Sequence, residues 1–243
     1  MKRLFCVLMM VATAVSSFAV TAEEIIARVD KNEIYDSIRY DGEMEIHLSG
    51  KVYVKELYAL AKGDDNSFME FTNSDDYGTK YMKKDGKLFV YSPDTEEIMP
   101  ITGHMLKESI MGSDMSYEDT INNEGLLERY TPTIIGEDTV LGKKTWKVEL
   151  KAKSKLEAYS KQILWVEQET FSTLKTEMFA LSGVKLKTLE NVEIEKIRGK
   201  YFPTVSKMVD LLRKDSKTIM RMKNVELDLN VPDSTFSFRN LER

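Results

Sequence analysis

The chain has 243 residues, with 35 Lys and Arg against 40 Asp and Glu, a formal net charge of −5, one cysteine and two histidines. That acidic balance argues against a nucleic-acid binder, which needs a basic stripe. The single cysteine excludes a disulfide scaffold, and so little thiol and imidazole leaves few groups for catalysis or for holding a metal.

Lys2 and Arg3 precede an apolar run from Leu4 to Val15, too short to span a bilayer. Ser17-Phe18-Ala19 then supplies small residues at the positions a signal peptidase reads. The pattern predicts a secretory signal over 1–19 and a periplasmic mature chain starting at Val20, or at Glu23 if the cut follows Ala22. Cys6 lies ahead of most of the apolar run, which argues against a lipid-modified N-terminus. Without Lys2 and Arg3, 33 basic residues remain against 40 acidic ones. No linker or low-complexity stretch divides residues 20–243, which read as one domain.

Thr21 and Glu24 have capping-box spacing, and Ile25, Ile26 and Val29 follow at helical intervals, so the mature chain opens with a short amphipathic helix. From Gly42 the period becomes two: Met44, Ile46 and Leu48 alternate with polar neighbours, as do Val52 and Val54. Further strand patterns follow over 68–72, 80–84, 88–91 and 97–102, with Asp85-Gly86 as a tight hairpin turn. Between Gly103 and Asn123 the alternation stops. Met105, Leu106, Ile110 and Met111 have helical spacing, and a second helix is expected over 116–121, capped by Ser116 with Asp119 at its third position.

Strand patterns resume over 131–135, 144–151, 162–167, 174–180, 184–197, 202–212 and 218–229. Turns are expected at Glu137-Asp138, Leu141-Gly142, Ser182-Gly183 and Arg198-Gly199. The whole predicts a mainly β fold, a large antiparallel sheet of about ten or eleven strands. Twist accumulates across such a sheet, so it must curl or close, and the helical patches are the natural cover for an open face. Trp146 and Trp165 read as core or cavity-lining residues, and His47 and His104 as surface and turn residues.

Phe89-Val90-Tyr91-Ser92-Pro93, the block Met111-Gly112-Ser113-Asp114-Met115-Ser116-Tyr117-Glu118-Asp119, and the run from Pro232 to Arg243 resemble the outer-membrane lipoprotein-sorting family, the LolA-like group. The resemblance marks Gly112, Ser113, Asp114, Tyr117, Glu118, Asp119, Arg239 and Asn240 as motif residues. It implies an incomplete β-barrel with short helices over its opening and a hydrophobic cavity inside.

A carrier of acyl chains, from a lipoprotein or a lipid, is therefore expected, delivering toward the outer membrane. Its partners would be an inner-membrane exporter and an outer-membrane acceptor, and the protein a monomer. The pocket is expected to be lined by Met44, Ile46, Leu48, Phe89 and Tyr91, with Met105, Leu106, Ile110 and Met111 from the cover. Methionine, unbranched and polarizable, suits such a surface. The alternative is an envelope signalling module of the same fold that binds a partner protein. No cofactor, metal or catalytic residue is expected: Asp114, Glu118 and Asp119 are more simply read as helix-capping acids than as an acid–base cluster.

Overall fold

A computed structural model describes residues 20–121 and 124–242. The expected signal over 1–19 lies outside the described residues. Helix α1 (Ala22–Glu33) opens on Thr21, whose hydroxyl accepts the Glu24 N–H at 3.1 Å while the Glu24 carboxylate accepts the Thr21 N–H at 3.0 Å. The capping box read from the spacing forms, and it satisfies two N–H groups that the first helical turn leaves unpaired.

Thirteen strands follow: β1 (Ser37–Leu48), β2 (Lys51–Lys62), β3 (Asn66–Phe71), β4 (Lys80–Lys84), β5 (Lys87–Ser92), β6 (Glu97–Ile101), β7 (Tyr130–Val140), β8 (Lys143–Ala152), β9 (Lys161–Glu167), β10 (Thr173–Phe179), β11 (Lys185–Ile197), β12 (Lys200–Asp210) and β13 (Ser216–Leu227). They form one open antiparallel sheet in the order β6-β5-β4-β3-β2-β1-β13-β12-β11-β10-β9-β8-β7. The first six step outward from β1 and the last seven return to it, so β1 and β13 pair at the centre. Its free edges are β6 and β7. The chain between them, residues 102–129, holds two 3₁₀ turns (Gly103–Lys107 and Ile110–Gly112) and two one-turn helices, α2 (Glu118–Ile121) and α3 (Leu126–Arg129).

The sheet has more strands than the ten or eleven expected. Each of the thirteen nevertheless falls on a stretch of strand pattern read above, the five-residue β4 and β6 included, so the expected number was too low and not the pattern. At the β4–β5 turn Asp85 and Gly86 take φ of 51° and 71°, the left-handed pair that a two-residue hairpin requires. Glu137-Asp138, expected to be a turn, lies inside β7. The Asp138 carboxylate accepts Trp165 Nε1–H at 2.9 Å and its carbonyl accepts Thr145 Oγ1–H at 3.1 Å, so cross-strand donors hold it extended. The patch from Met105 to Met111 forms 3₁₀ turns in place of an α-helix, interrupted where Met111 and Gly112 adopt φ of 51° and 78°.

One face of the sheet is inner. A row of directly paired residues crosses it: Val148, Leu164, Thr176, Leu189, Met208, Thr218 and Ile46. Paired residues point the same way, so this row lies on one surface. At the β7–β9 side, α1 lays Ile25, Ile26 and Val29 on Tyr130, Val148, Leu150, Leu164 and Val166. Each of the three is fully buried, an arrangement that contributes about 1.5–3 kcal/mol per side chain. At the β1–β6 side, the 102–129 crossover lays Ile110, with Met105, Leu106 and Met111 beside it, on Met44, Ile46, Leu57, Phe71 and Tyr81.

Among the described residues, the outer face is covered over β2–β6. There Val231, Phe236 and Leu241, from the C-terminal run ending in α4 (Phe238–Leu241), bury against Leu60 and Met82. Elsewhere that face carries ion pairs such as Arg221–Glu45 at 2.9 Å and Lys207–Glu190 at 3.1 Å. Trp165 also belongs to it, placed between Lys147 and Lys175 at 4.8 and 4.4 Å. It is buried, as a core residue would be, but on the face away from the cavity. Trp146 does pack on the α1 side of the core, 5.3 Å from Phe171.

Candidate functional site

The two covers meet at one end, where the Asp30 carboxylate of α1 accepts the N–H groups of Leu126 and Leu127 of α3 at 2.8 and 3.2 Å, and part company elsewhere. Between α1 and the crossover, the inner face of β11–β13 is left over a cavity of about 390 Å³. Its floor and walls include Leu189, Phe202, Met208, Met220 and Met222 from the sheet and Met115 from the crossover. Asp30 and Glu33 of α1 and Glu124 stand at its margin. A second hollow of about 790 Å³ lies on the other side of Met115, which lines both. That hollow is more polar, bounded by the crossover, the β8–β9 loop and the β10–β11 and β12–β13 turns.

The crossover is fastened by its own acids. Asp114 is almost wholly buried: Oδ1 accepts the Asp210 N–H at 3.0 Å and the Ser216 hydroxyl at 2.5 Å, and Oδ2 accepts the Thr218 hydroxyl at 2.7 Å. Arg213 donates to the Ser113 carbonyl and, at 2.8 Å, to the Gly112 carbonyl. Gly112-Ser113-Asp114 is thus pinned to the β12–β13 hairpin.

Five residues on, Asp119 makes the second fastening. Its Oδ2 accepts Lys187 Nζ–H at 2.6 Å, and both the N–H and the hydroxyl of Ser116 at 2.8 Å. Its Oδ1 accepts the Tyr159 hydroxyl at 2.5 Å. Burial pushes the Tyr159 hydroxyl above its usual range, so it stays protonated and donates. Half of the expected box forms, the Asp119 carboxylate accepting the Ser116 N–H, but the Ser116 hydroxyl is given to Asp119 and not to a helix N–H, and α2 begins at Glu118. Burial, then the charge of Asp119, raises the Glu118 carboxyl above the ordinary carboxylate range. Tyr117 packs on Tyr81 with ring centroids 5.6 Å apart, and its hydroxyl lies 3.2 Å from that of Tyr81.

The residues expected to line a pocket separate into three groups. Met44, Ile46, Met105, Leu106, Ile110 and Met111 come together, but as a packed core beneath the crossover, one step away from the open space. Phe89 and Tyr91 point to the outer face under the C-terminal run, with Phe89 edge-on to Phe238 at 4.9 Å. Leu48 is half-buried at the end of β1, outside the described core clusters. Of the remaining motif residues, Asn240 donates to the carbonyls of Ser234 and Thr235 at 3.0 and 3.1 Å, closing the C-terminal run, and Arg239 is exposed. The cavity methionines Met208, Met220 and Met222 sit in strands that were legible, but alternation alone does not say which face is covered.

A family model whose description reads "Uncharacterized protein" matches residues 63–243. No curated protein matches the chain. Among solved structures, the chain is similar to a DUF1329 family protein from Desulfovibrio piger ATCC 29098, with 26% identity, TM-score 0.82, and 90% of this chain and 97% of that one covered. A domain described as an outer membrane lipoprotein-sorting protein domain, from Vibrio parahaemolyticus, matches with 19% identity and TM-score 0.79, covering 91% and 97%. A LolA superfamily protein from Nitrosomonas europaea matches with 23% identity and TM-score 0.75, covering 90% and 98%.

Proposed function

We propose, because the chain belongs to the family matched over residues 63–243 and has the LolA-like fold, that its inner cavity holds an acyl chain of a lipoprotein or a lipid during transfer across the periplasm toward the outer membrane. One observation carries this reading: a space of about 390 Å³ between two well-packed covers, whose sheet side presents Leu189, Phe202 and three methionines, with Met115 opposite and charged groups such as Asp64, Glu124 and Arg129 also lining it. An acyl chain in water is disfavoured by about 0.8 kcal/mol per CH₂, so moving it between membranes demands such an enclosure. The volume falls at the lower end of small-ligand pockets, which suits one tail.

The fastened crossover then acts as the wall that must shift for loading and release. Gly112 is pinned through its carbonyl, so Gly103, at φ 58° with open space around it, is the freer point of bending. An inner-membrane exporter would supply the cargo and an outer-membrane acceptor would take it.

Native mass spectrometry of protein purified from its own host tests the reading. A co-purifying lipid or acylated protein, lost in Met222→Asp with the circular dichroism unchanged, is the expected result. Recovery of one unlipidated partner protein and no lipid would replace the carrier reading with the signalling one.

A further inference from the structure

We infer that the rim of the larger hollow, formed by the β8–β9 loop and the β10–β11 and β12–β13 turns, docks on an anionic membrane surface. Three leucines occupy the three tips: Leu156 is 95% exposed, Leu181 83% and Leu212 70%. Single exposed leucines are ordinary, but these three come from separate turns, and Leu181 and Leu212 line the same mouth beside Lys153 and Lys155. Val184 and Leu211, both about half exposed, extend the apolar edge.

The tips are held out by closed turns. Leu156 N–H donates to the Ser154 hydroxyl at 3.1 Å, and Leu212 N–H to the Asp210 carboxylate at 2.9 Å. The Ala180 and Val184 backbones close the turn that carries Leu181 at 2.9 Å. Such tips enter an interface with little ordering of the chain left to do.

Basic residues flank the tips: Lys155 precedes Leu156, and Arg213 and Lys214 follow Leu212, in a chain whose net charge is −5, while Lys185, after Val184, is paired with Glu177 at 3.1 Å. Of the acids there, Glu157 is neutralised by Arg129 at 2.5 Å and Asp114 is buried beneath the crossover, leaving Asp210, whose carboxylate holds the Leu212 N–H, Glu118 inside the hollow and Asp215 in the β12–β13 turn. Leucine tips among lysines match a lipid surface with negative headgroups, where apolar insertion and electrostatic attraction add. Arg213 also holds the Gly112 and Ser113 carbonyls, so the edge that meets lipid is the edge at which the crossover is fastened.

This inference does not depend on the cargo. The test is co-sedimentation of the exported protein with phosphatidylglycerol-containing vesicles and with pure phosphatidylcholine vesicles. The expected result is salt-sensitive binding to the first, weakened about tenfold in the triple variant Leu156→Ser, Leu181→Ser, Leu212→Ser, and loss of the preference for anionic vesicles in Lys155→Gln, Lys214→Gln. Met222→Asp, which probes the cavity, leaves vesicle binding unchanged. The inference is overturned if the wild type ignores anionic vesicles, if the triple variant binds as well as the wild type, or if that variant loses only self-association in the ultracentrifuge.

Discussion

Lys187, on β11, reaches across the inner face to Asp119 of the crossover, with Nζ 2.6 Å from Oδ2 and both side chains about nine-tenths buried. A buried pair of this kind gains little over an apolar pair of the same shape, but losing one member strands the other. Asp119→Ala should therefore destabilise the fold by about 3–5 kcal/mol, as should Lys187→Ala, since each leaves a buried charge without its partner. The paired replacement Asp119→Leu, Lys187→Met should recover much of the loss in urea unfolding. If the double change is as harmful as both single ones together, the two residues are not coupled.

Asp114 fastens the same segment without an opposite charge, through three neutral donors. Asp114→Ala leaves the Asp210 N–H and two hydroxyls buried, a loss of about 2–4 kcal/mol by the usual cost of unsatisfied groups. Hydrogen exchange reads the site directly: the Asp210 amide should exchange markedly faster in the variant, and the amides of α1 should not. Uniform acceleration would mean that Asp114 supports the whole fold and not the crossover.

Much of the architecture was legible because it rests on local chemistry. The Thr21–Glu24 box and the Asp85-Gly86 turn depend on neighbours within four residues, and both form as the spacing implied. Two of the failures are plainly long-range. Asp138 looks like a turn residue until Trp165, 27 positions later, is seen donating to it. Phe89 and Tyr91 alternate correctly, yet period two is silent on which face is covered, and the outer cover comes from residues 229–241 at the far end of the chain. The motif acids were visible as a block, but their partners Lys187, Tyr159, Ser216 and Thr218 carry no mark in sequence.

Glu118 should make stability depend on pH in the opposite sense to most carboxylates. Its folded pKa is raised, chiefly by burial. The protonated form is therefore favoured in the folded state, and that contribution is fully present below the unfolded value of about 4.3 and lost as pH rises through the folded one. Glu118→Gln, which mimics the protonated acid, should unfold at a higher temperature than wild type at neutral pH and at the same temperature below about pH 4. Calorimetry at the two pH values checks it, and a variant less stable at neutral pH would show that Glu118 holds a needed partner.

The C-terminal run should prove integral to the sheet. Phe236 is 1% exposed, against Leu60 and Met82 on the outer face. Phe236→Ala should cost about 3–5 kcal/mol, the range for a deleted buried aromatic. Because the run lies on the face opposite the cavity, lipid retention by the remaining folded protein should be unaffected. Loss of lipid at full folding would place cargo beneath the C-terminal run instead.

Gly42 joins core packing to the cavity. A Cβ there would sit 2.6 Å from Leu57 Cδ1, 2.9 Å from Leu57 Cγ and 2.8 Å from Met220 Cε. No side chain fits without movement, so glycine is required here for space. Leu57 is buried in the packed core under the crossover and has little room to yield, whereas the Met220 methyl ends a flexible chain that borders the cavity. Gly42→Ala should thus cost about 1–3 kcal/mol by overpacking and drive Met220 into the open space. The same variant should retain less lipid than wild type in native mass spectra recorded well below its unfolding midpoint. Reduced stability with full retention would mean that Leu57 moved, and that the cavity wall at Met220 is not where the chain lies.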